Sequence, residues 1–135
     1  MDKSVFLDTA YIIALIITDD QFHKISLNTS RQIVAEKINL VTSELVLVEI
    51  LDTLSKVKYR NEALITTKKL KQGITVIDTN KELLLKAYSL YEKRPDKEWG
   101  MTDCYSFVIM EKYNIKQVLT TDAHFEQAGF KILLK

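Results

Sequence analysis

Five short segments of the chain are almost continuously apolar and rich in β-branched residues. They cover residues 4–7, 39–42, 74–77, 117–120 and 131–134. Most of them lack the alternation of apolar and polar positions that marks a strand with one face in water. Continuous apolar strands are typical of a parallel sheet that is covered on both faces. The pattern therefore predicts a central sheet of five mostly parallel strands.

Longer segments between these strands carry apolar residues at helical spacing. In the clearest example, positions i, i+3, i+4 and i+7 are occupied by Leu84, Ala87, Tyr88 and Tyr91. Similar stripes begin at Phe22, Leu47 and Cys104. Strands that alternate with helices in this way predict an α/β fold with a mostly parallel sheet.

Length and composition restrict the class of protein. A chain of 135 residues fits one domain, residues 1–135, and buries about two-thirds of its unfolded surface, so it needs no disulfide or structural metal. The apolar fraction of 47% excludes a disordered chain. The single cysteine, Cys104, favours a reducing, cytoplasmic setting. No segment reaches the length of a membrane span, so we expect no membrane partner.

The formal charge is balanced over the chain as a whole. Nineteen Lys and Arg against 18 Asp and Glu give a net charge of +1. Any binding of RNA therefore requires local positive patches rather than a globally basic surface. Three candidate patches are Lys56–Arg60, Lys68–Lys71, and Lys93–Arg94 with Lys97. Each of them taken singly is typical of a solvated helix end.

Acidic residues stand where the predicted strands end. Asp8 ends the first strand and Asp122 follows the fourth, so both fall at the carboxyl edge of the sheet, where open α/β sheets bind ligands. Asp103 lies at the start of a predicted helix, and Glu49 lies inside another. His124 follows Asp122 by two residues and is a candidate for the rim of the same cleft.

Each of these acids also has a purely structural explanation. Asp8, Asp103 and Asp122 lie near helix starts, where free amides and the helix dipole favour a carboxylate. Glu49 shares a helical stripe with Asp52, which is compatible with a solvated face. Spacing alone leaves both explanations open.

A cluster of four carboxylates would require a compensating charge. Two carboxylates about 4 Å apart repel each other by roughly 4 kcal/mol at an effective dielectric constant near 20. Oxygen ligands select hard cations, so such a cluster predicts Mg²⁺ or Mn²⁺ rather than Zn²⁺. A bound cation of this kind activates water for attack on phosphorus, which favours hydrolysis of a phosphodiester. Glycine-rich nucleotide-binding loops and a GxSxG nucleophile turn are absent from the sequence.

Four segments that contain the acids follow one another along the whole chain. They are Phe6–Thr9, Thr42–Glu49, Asp96–Phe107 and Leu119–Phe130. In this order they resemble the motifs of the PIN domain family, and in particular those of the VapC-type toxins of toxin–antitoxin pairs. The last two segments are long and specific, whereas the first two are short. Where such proteins often carry Ser before the Thr-Asp of the third motif, this chain has Gly100-Met101.

This resemblance implies a three-layer α/β/α sandwich and a Mg²⁺- or Mn²⁺-dependent endoribonuclease that leaves a 5′-phosphate. It implies that Asp8 and Asp103 contact the metal most directly, with Glu49 and Asp122 as further catalytic ligands that act directly or through water. Thr120 matches the hydroxyl residue that lines the site. The resemblance also implies a homodimer and a cognate antitoxin protein that covers the acidic cleft.

Two other functions are weighed against the ribonuclease. One is a non-catalytic module of the same fold that binds RNA or protein, against which the complete set of acids counts. The other is a phosphoacceptor signalling domain, which requires adjacent acids after the first strand and a lysine after the last. Asp8-Thr9 lacks the acidic pair, and Lys131 begins the last strand rather than following it.

Overall fold

The computed structural model describes residues 4–134, in which five strands alternate with seven helices. The strands are β1 (Ser4–Leu7), β2 (Asn39–Ser43), β3 (Thr75–Ile77), β4 (Gln117–Leu119) and β5 (Lys131–Ile132). The helices are α1 (Thr9–Ile16), α2 (His23–Ala35), α3 (Glu44–Thr53), α4 (Val57–Gly73), α5 (Lys81–Lys93), α6 (Met101–Lys112) and α7 (Ala123–Gln127). The predicted α/β fold is confirmed, and all five predicted strands form, the third, fourth and fifth being shorter than predicted.

The described strands form one parallel sheet in the order β3-β2-β1-β4-β5. β1 lies at its centre, where Phe6 pairs with Val41 of β2 on one side and with Val118 of β4 on the other. In this order the end of β1 lies between the ends of β2 and β4. Residues that follow β1, β2 and β4 are therefore brought to one edge of the sheet.

The buried position of β1 in the core explains why its sequence is continuously apolar. Val5, Phe6 and Leu7 are 2%, 0% and 0% exposed. Since successive side chains of a strand point to opposite faces, burial of all three requires a layer of helices on each face. The three-layer α/β/α sandwich expected from the resemblance is confirmed.

Helix α4 is the longest of three helices that periodicity did not predict, the others being α1 and α7. It spans 17 residues but buries only Ala63 and Thr67, so its apolar stripe is too narrow to stand out. Two of the lysine-rich segments lie on or beside this helix, Lys56–Arg60 at its start and Lys68–Lys71 in its second half. No helix within residues 4–134 combines the length and the apolar character that crossing a membrane requires.

An aromatic cluster fixes helix α6 against helix α7. Phe107 of α6 packs edge-on against Trp99 and Phe125, with ring centroids 5.0 and 4.9 Å away. The indole N–H of Trp99 donates a 3.0 Å hydrogen bond to Oε1 of Gln127. Because α6 carries Asp103 near its start and α7 follows Asp122, this packing sets the distance between the third and fourth acids.

Candidate active site

The structure brings the four acids predicted from the sequence to the carboxyl edge of the sheet. Asp8 directly follows β1 and Asp122 follows the neighbouring β4. Glu49 lies on α3, which continues directly from β2 on the other side of β1. Asp103 occupies the first turn of α6. Glu49 and Asp103 lie close enough to Asp8 for their charges to raise its pKa.

Asp8 is buried, with an exposed fraction of 4%. Its Oδ2 accepts a 2.8 Å hydrogen bond from Oγ1 of Thr120, and its backbone N–H donates to the carbonyl of Leu119 over 3.2 Å. Asp8 precedes helix α1, but its carboxylate forms no capping hydrogen bond within the described chain. Helix capping therefore does not explain why a buried carboxylate stands here.

Burial has a direct electrostatic consequence for Asp8. Loss of solvation, together with the charges of Glu49 and Asp103, raises the pKa of Asp8 to about 7, although the hydrogen bond from Thr120 acts in the opposite direction. Near neutral pH this carboxylate requires either a proton or a nearby cation.

Glu49 is half-buried and is held by a residue that sequence reasoning missed. The hydroxyl of Thr9, itself buried, donates a hydrogen bond to Oε1 of Glu49. Burial raises the pKa of Glu49, and the charges of Asp103 and Asp122 add to this effect. Glu49 therefore does not lie on a solvated helix face. A hydroxyl residue placed directly after a strand-ending acid is the sequence signal that could have identified Thr9.

Asp103, Asp122 and His124 form the more open side of the cluster. Nδ1 of His124 lies 3.1 Å from Oδ2 of Asp103 and 3.4 Å from Oδ1 of Asp122. One potential ligand atom from each of the three lies within 4.8 Å of the others. Burial raises the pKa of Asp103, and the charge of Asp122 contributes to the shift. His124, expected at the rim of the cleft, thus contacts two of the acids.

Two of the acids also have the capping role that the sequence allowed. Oδ2 of Asp103 accepts a 3.1 Å hydrogen bond from the Gly100 N–H at the start of α6. Oδ1 of Asp122 accepts a 2.9 Å hydrogen bond from the His124 N–H at the start of α7. Each of these carboxylates has a second oxygen or a further lone pair available. Capping and participation in the cluster are therefore compatible.

The donor set suits a hard divalent cation. Carboxylate oxygens of Asp103 and Asp122 lie with His124 in one group of possible ligand atoms, and the pKa values of Asp8, Glu49 and Asp103 are all raised. Within residues 4–134, no lysine or arginine forms an ion pair with any of the four. The negative charge at this edge is thus left for a cation or for protons to balance. The assignment of individual metal ligands stays a prediction.

The profile of the PIN domain family matches residues 5–131, nearly the whole chain. A sequence search of curated proteins found no significant match.

Several solved structures share this fold. VapC20 of Mycobacterium tuberculosis, described as a sarcin–ricin loop cleaving toxin, superposes with a TM-score of 0.81 at 23% identity over 93% of this chain and 95% of that one. VapBC2 of Rickettsia felis, bound to a DNA fragment from its promoter, gives 0.71 at 15% identity, with 96% and 97% covered. DNA-bound VapBC of Salmonella typhimurium gives 0.67 at 16% identity, with 98% of both chains covered. At these identities the likeness establishes a common fold.

Proposed function

The chain belongs to the PIN domain family, and from this premise we propose that it is a metal-dependent endoribonuclease that hydrolyses RNA phosphodiester bonds. The observation that carries the proposal is the set of four carboxylates, among them the buried Asp8, at the carboxyl edge of the sheet. A buried acid surrounded by other acids is costly for folding, so its presence favours a functional role.

We assign the cation, Mg²⁺ or Mn²⁺, to Asp8 and Asp103 first, with Glu49 and Asp122 as further ligands that act directly or through water. When bound, such a cation supplies charge for a phosphate oxygen and a water of lowered pKa. The chain's own contribution is to fix the ligands in place. Thr120 orients the carboxylate of Asp8 by a 2.8 Å hydrogen bond.

The remaining hydroxyl and imidazole groups have supporting roles in this scheme. Thr9 orients Glu49 through the hydrogen bond from its hydroxyl. The imidazole of His124, 3.1 Å from Asp103, lines the site on the side open to solvent and is positioned to contact the RNA substrate. The burial of Asp8 keeps bulk water away from the central ligand.

We further propose that the protein is the toxin of a toxin–antitoxin pair and acts in the cytoplasm as a homodimer. In this proposal a cognate antitoxin covers the acidic cleft. The similar structures support it, since one is described as a toxin and two are VapBC proteins bound to DNA. The single cysteine, Cys104, is buried and free, in keeping with a reducing compartment.

The decisive experiment compares acid substitutions in a cleavage assay with labelled RNA and Mn²⁺. Asp8→Asn and Asp103→Asn should each lower the cleavage rate at least about hundredfold, because each removes a charged ligand. Asp78→Asn is the matched control, since Asp78 also follows a strand of the sheet but is exposed. It should keep the wild-type rate. Circular dichroism checks that all three variants fold.

Two results would contradict the proposal. One is full activity in Asp8→Asn or Asp103→Asn, and the other is wild-type activity that survives EDTA. Binding of RNA by the wild-type protein without any cleavage would instead favour the non-catalytic module.

A further inference from the structure

A cavity of about 760 Å³ lies beside the acidic cluster, between helix α5 and the segment that leads into α6. Its volume falls within the range of roughly 300–1,000 Å³ that is common for small-ligand sites. Gly100 forms part of the wall, and the N–H of Gly100 donates a hydrogen bond to Asp103. The cavity and the candidate active site thus share a wall, so one extended ligand can reach both.

Two exposed aromatic rings line this cavity. Tyr88 and Tyr91 of α5 are 62% and 54% exposed and stand three residues apart, so they lie on the same side of the helix. Next to them the guanidinium of Arg94 lies over the ring of Trp99, 5.1 Å from its centroid. Aromatic rings and guanidinium planes are the surfaces on which proteins stack unpaired bases.

The charge of the cavity suits a neutral ligand group rather than a phosphate. Arg94 and Lys97 in its wall are balanced by Glu92 and Glu98. Arg94 is further paired with Asp96 through two hydrogen bonds of 3.0 Å. The carboxylates of Glu92 and Glu98 can accept hydrogen bonds from amino groups, as carboxylates do at the edges of bases.

The lining also argues against an aliphatic peptide segment as the occupant. None of the described residues that line the cavity is Leu, Ile, Val or Met. The cavity between α3 and α4 differs, because its wall contains Leu51, Val57 and Leu64. The wall beside Tyr88 and Tyr91 therefore offers aromatic rings, rather than aliphatic side chains, for contact with a ligand.

We propose that the cavity beside Gly100 binds an unpaired base of the RNA substrate, next to the phosphodiester that is cleaved. This inference rests on the proposed ribonuclease function. In this proposal the acids catalyse the hydrolysis. Tyr88, Tyr91 and Arg94 contribute to the selection of the nucleotide.

The test uses a pool of single-stranded RNA oligonucleotides of randomised sequence, cleaved in Mn²⁺, with the new ends read by sequencing. The wild-type protein should show a base preference at a position adjacent to the cleaved bond. Tyr88→Ala and Tyr91→Ala should weaken the preference at that position. For one preferred oligonucleotide they should raise KM about tenfold with kcat little changed, since each loses one stacking surface.

Tyr113→Ala is the matched control, because Tyr113 is 47% exposed and does not line the cavity. It should keep both the base preference and the KM of the wild type. Circular dichroism and sedimentation velocity accompany each variant.

The outcomes separate this inference from the proposed function. If the wild-type protein cleaves the pool and Tyr88→Ala and Tyr91→Ala keep its preference, the base site is overturned and the ribonuclease stands. If these variants change only the sedimentation coefficient, the face belongs to an interface between copies of the chain, and the base site is again overturned. If the wild-type protein leaves the pool intact, both proposals fail.

Discussion

Oγ1 of Thr120 donates a 2.8 Å hydrogen bond to Oδ2 of Asp8, although 112 residues separate the two in the sequence. The same oxygen accepts a 3.1 Å hydrogen bond from the backbone N–H of Asp122. Thr120 is fully buried. The hydroxyl of Thr120 thus links the carboxylate of Asp8 to the backbone of Asp122.

Replacement of Thr120 by Val should lower the affinity of the site for metal, because Thr120 orients the carboxylate of Asp8. The change leaves a buried carboxylate oxygen without its partner, and we expect the Mn²⁺ affinity to fall about tenfold or more. Isothermal titration with Mn²⁺ measures this, and Thr120→Ser should restore the affinity. In the control Thr67→Val, a buried hydroxyl that donates to the Leu64 carbonyl is lost from α4. Equal affinity losses in both valine variants would show that Thr120 has no specific role.

Replacement of Thr9 by Val should act on Glu49 in a different way. Thr9 holds the Glu49 carboxylate toward the cluster by its hydroxyl. We expect kcat for RNA cleavage to fall about tenfold with KM nearly unchanged, because orientation rather than binding is lost. Thr9→Ser keeps the hydroxyl and should retain most of the rate. Loss of activity in the serine variant to the level of Thr9→Val would point to packing instead.

The raised pKa of Asp8 should make the stability of the metal-free protein depend on pH. Its pKa is about 7 in the folded protein and 3.8 in the absence of the fold, so between these values the folded state binds more protons than the unfolded state. The free energy of unfolding should therefore fall as the pH rises from about 4 to about 7, by at most roughly 4 kcal/mol, and then level off.

Urea unfolding in EDTA over this pH range measures the effect. Asp8→Asn should remove the largest part of the dependence, because the amide does not titrate. Glu49 and Asp103 contribute in the same direction and remain in that variant. Asp78→Asn should keep the full dependence. A wild-type protein that becomes more stable from pH 5 to pH 7 would contradict the burial of an ionisable Asp8.

Gly129 and Gly73 should respond differently to alanine. Gly129 has a φ of +98°, a conformation that side chains rarely adopt, whereas Gly73 ends helix α4 with no such requirement. Gly129→Ala should lower the free energy of unfolding by about 1 kcal/mol or more, and Gly73→Ala should leave it unchanged or raise it slightly. Urea unfolding of both variants checks this. Equal effects would show that the left-handed turn carries no strain.

The sequence predicted those features that depend on local pattern. The five strands and the acids Asp8 and Asp122 followed from apolar runs and from where they end, since parallel strand ends share an edge. The place of Asp103 depends on how α6 packs through Phe107, which no local pattern reveals. Its selection, like that of Glu49, relied on the resemblance to a family.

Features that arise only from tertiary contact escaped sequence reasoning. The bond from Thr9 to Glu49 joins residues 40 positions apart, and a single threonine gives little local signal. Helix α4 buries too few side chains for its periodicity to be visible. The cavity beside Tyr88 and Tyr91 depends on the path of the segment between α5 and α6.

The central position of β1 has a consequence for how the protein is made. β1 leaves the ribosome before its partner β4 and before the acids Asp103 and Asp122. A growing chain thus carries Asp8 and Glu49 without the other half of the cluster. The set of four acids is therefore complete only after Asp122 has been translated.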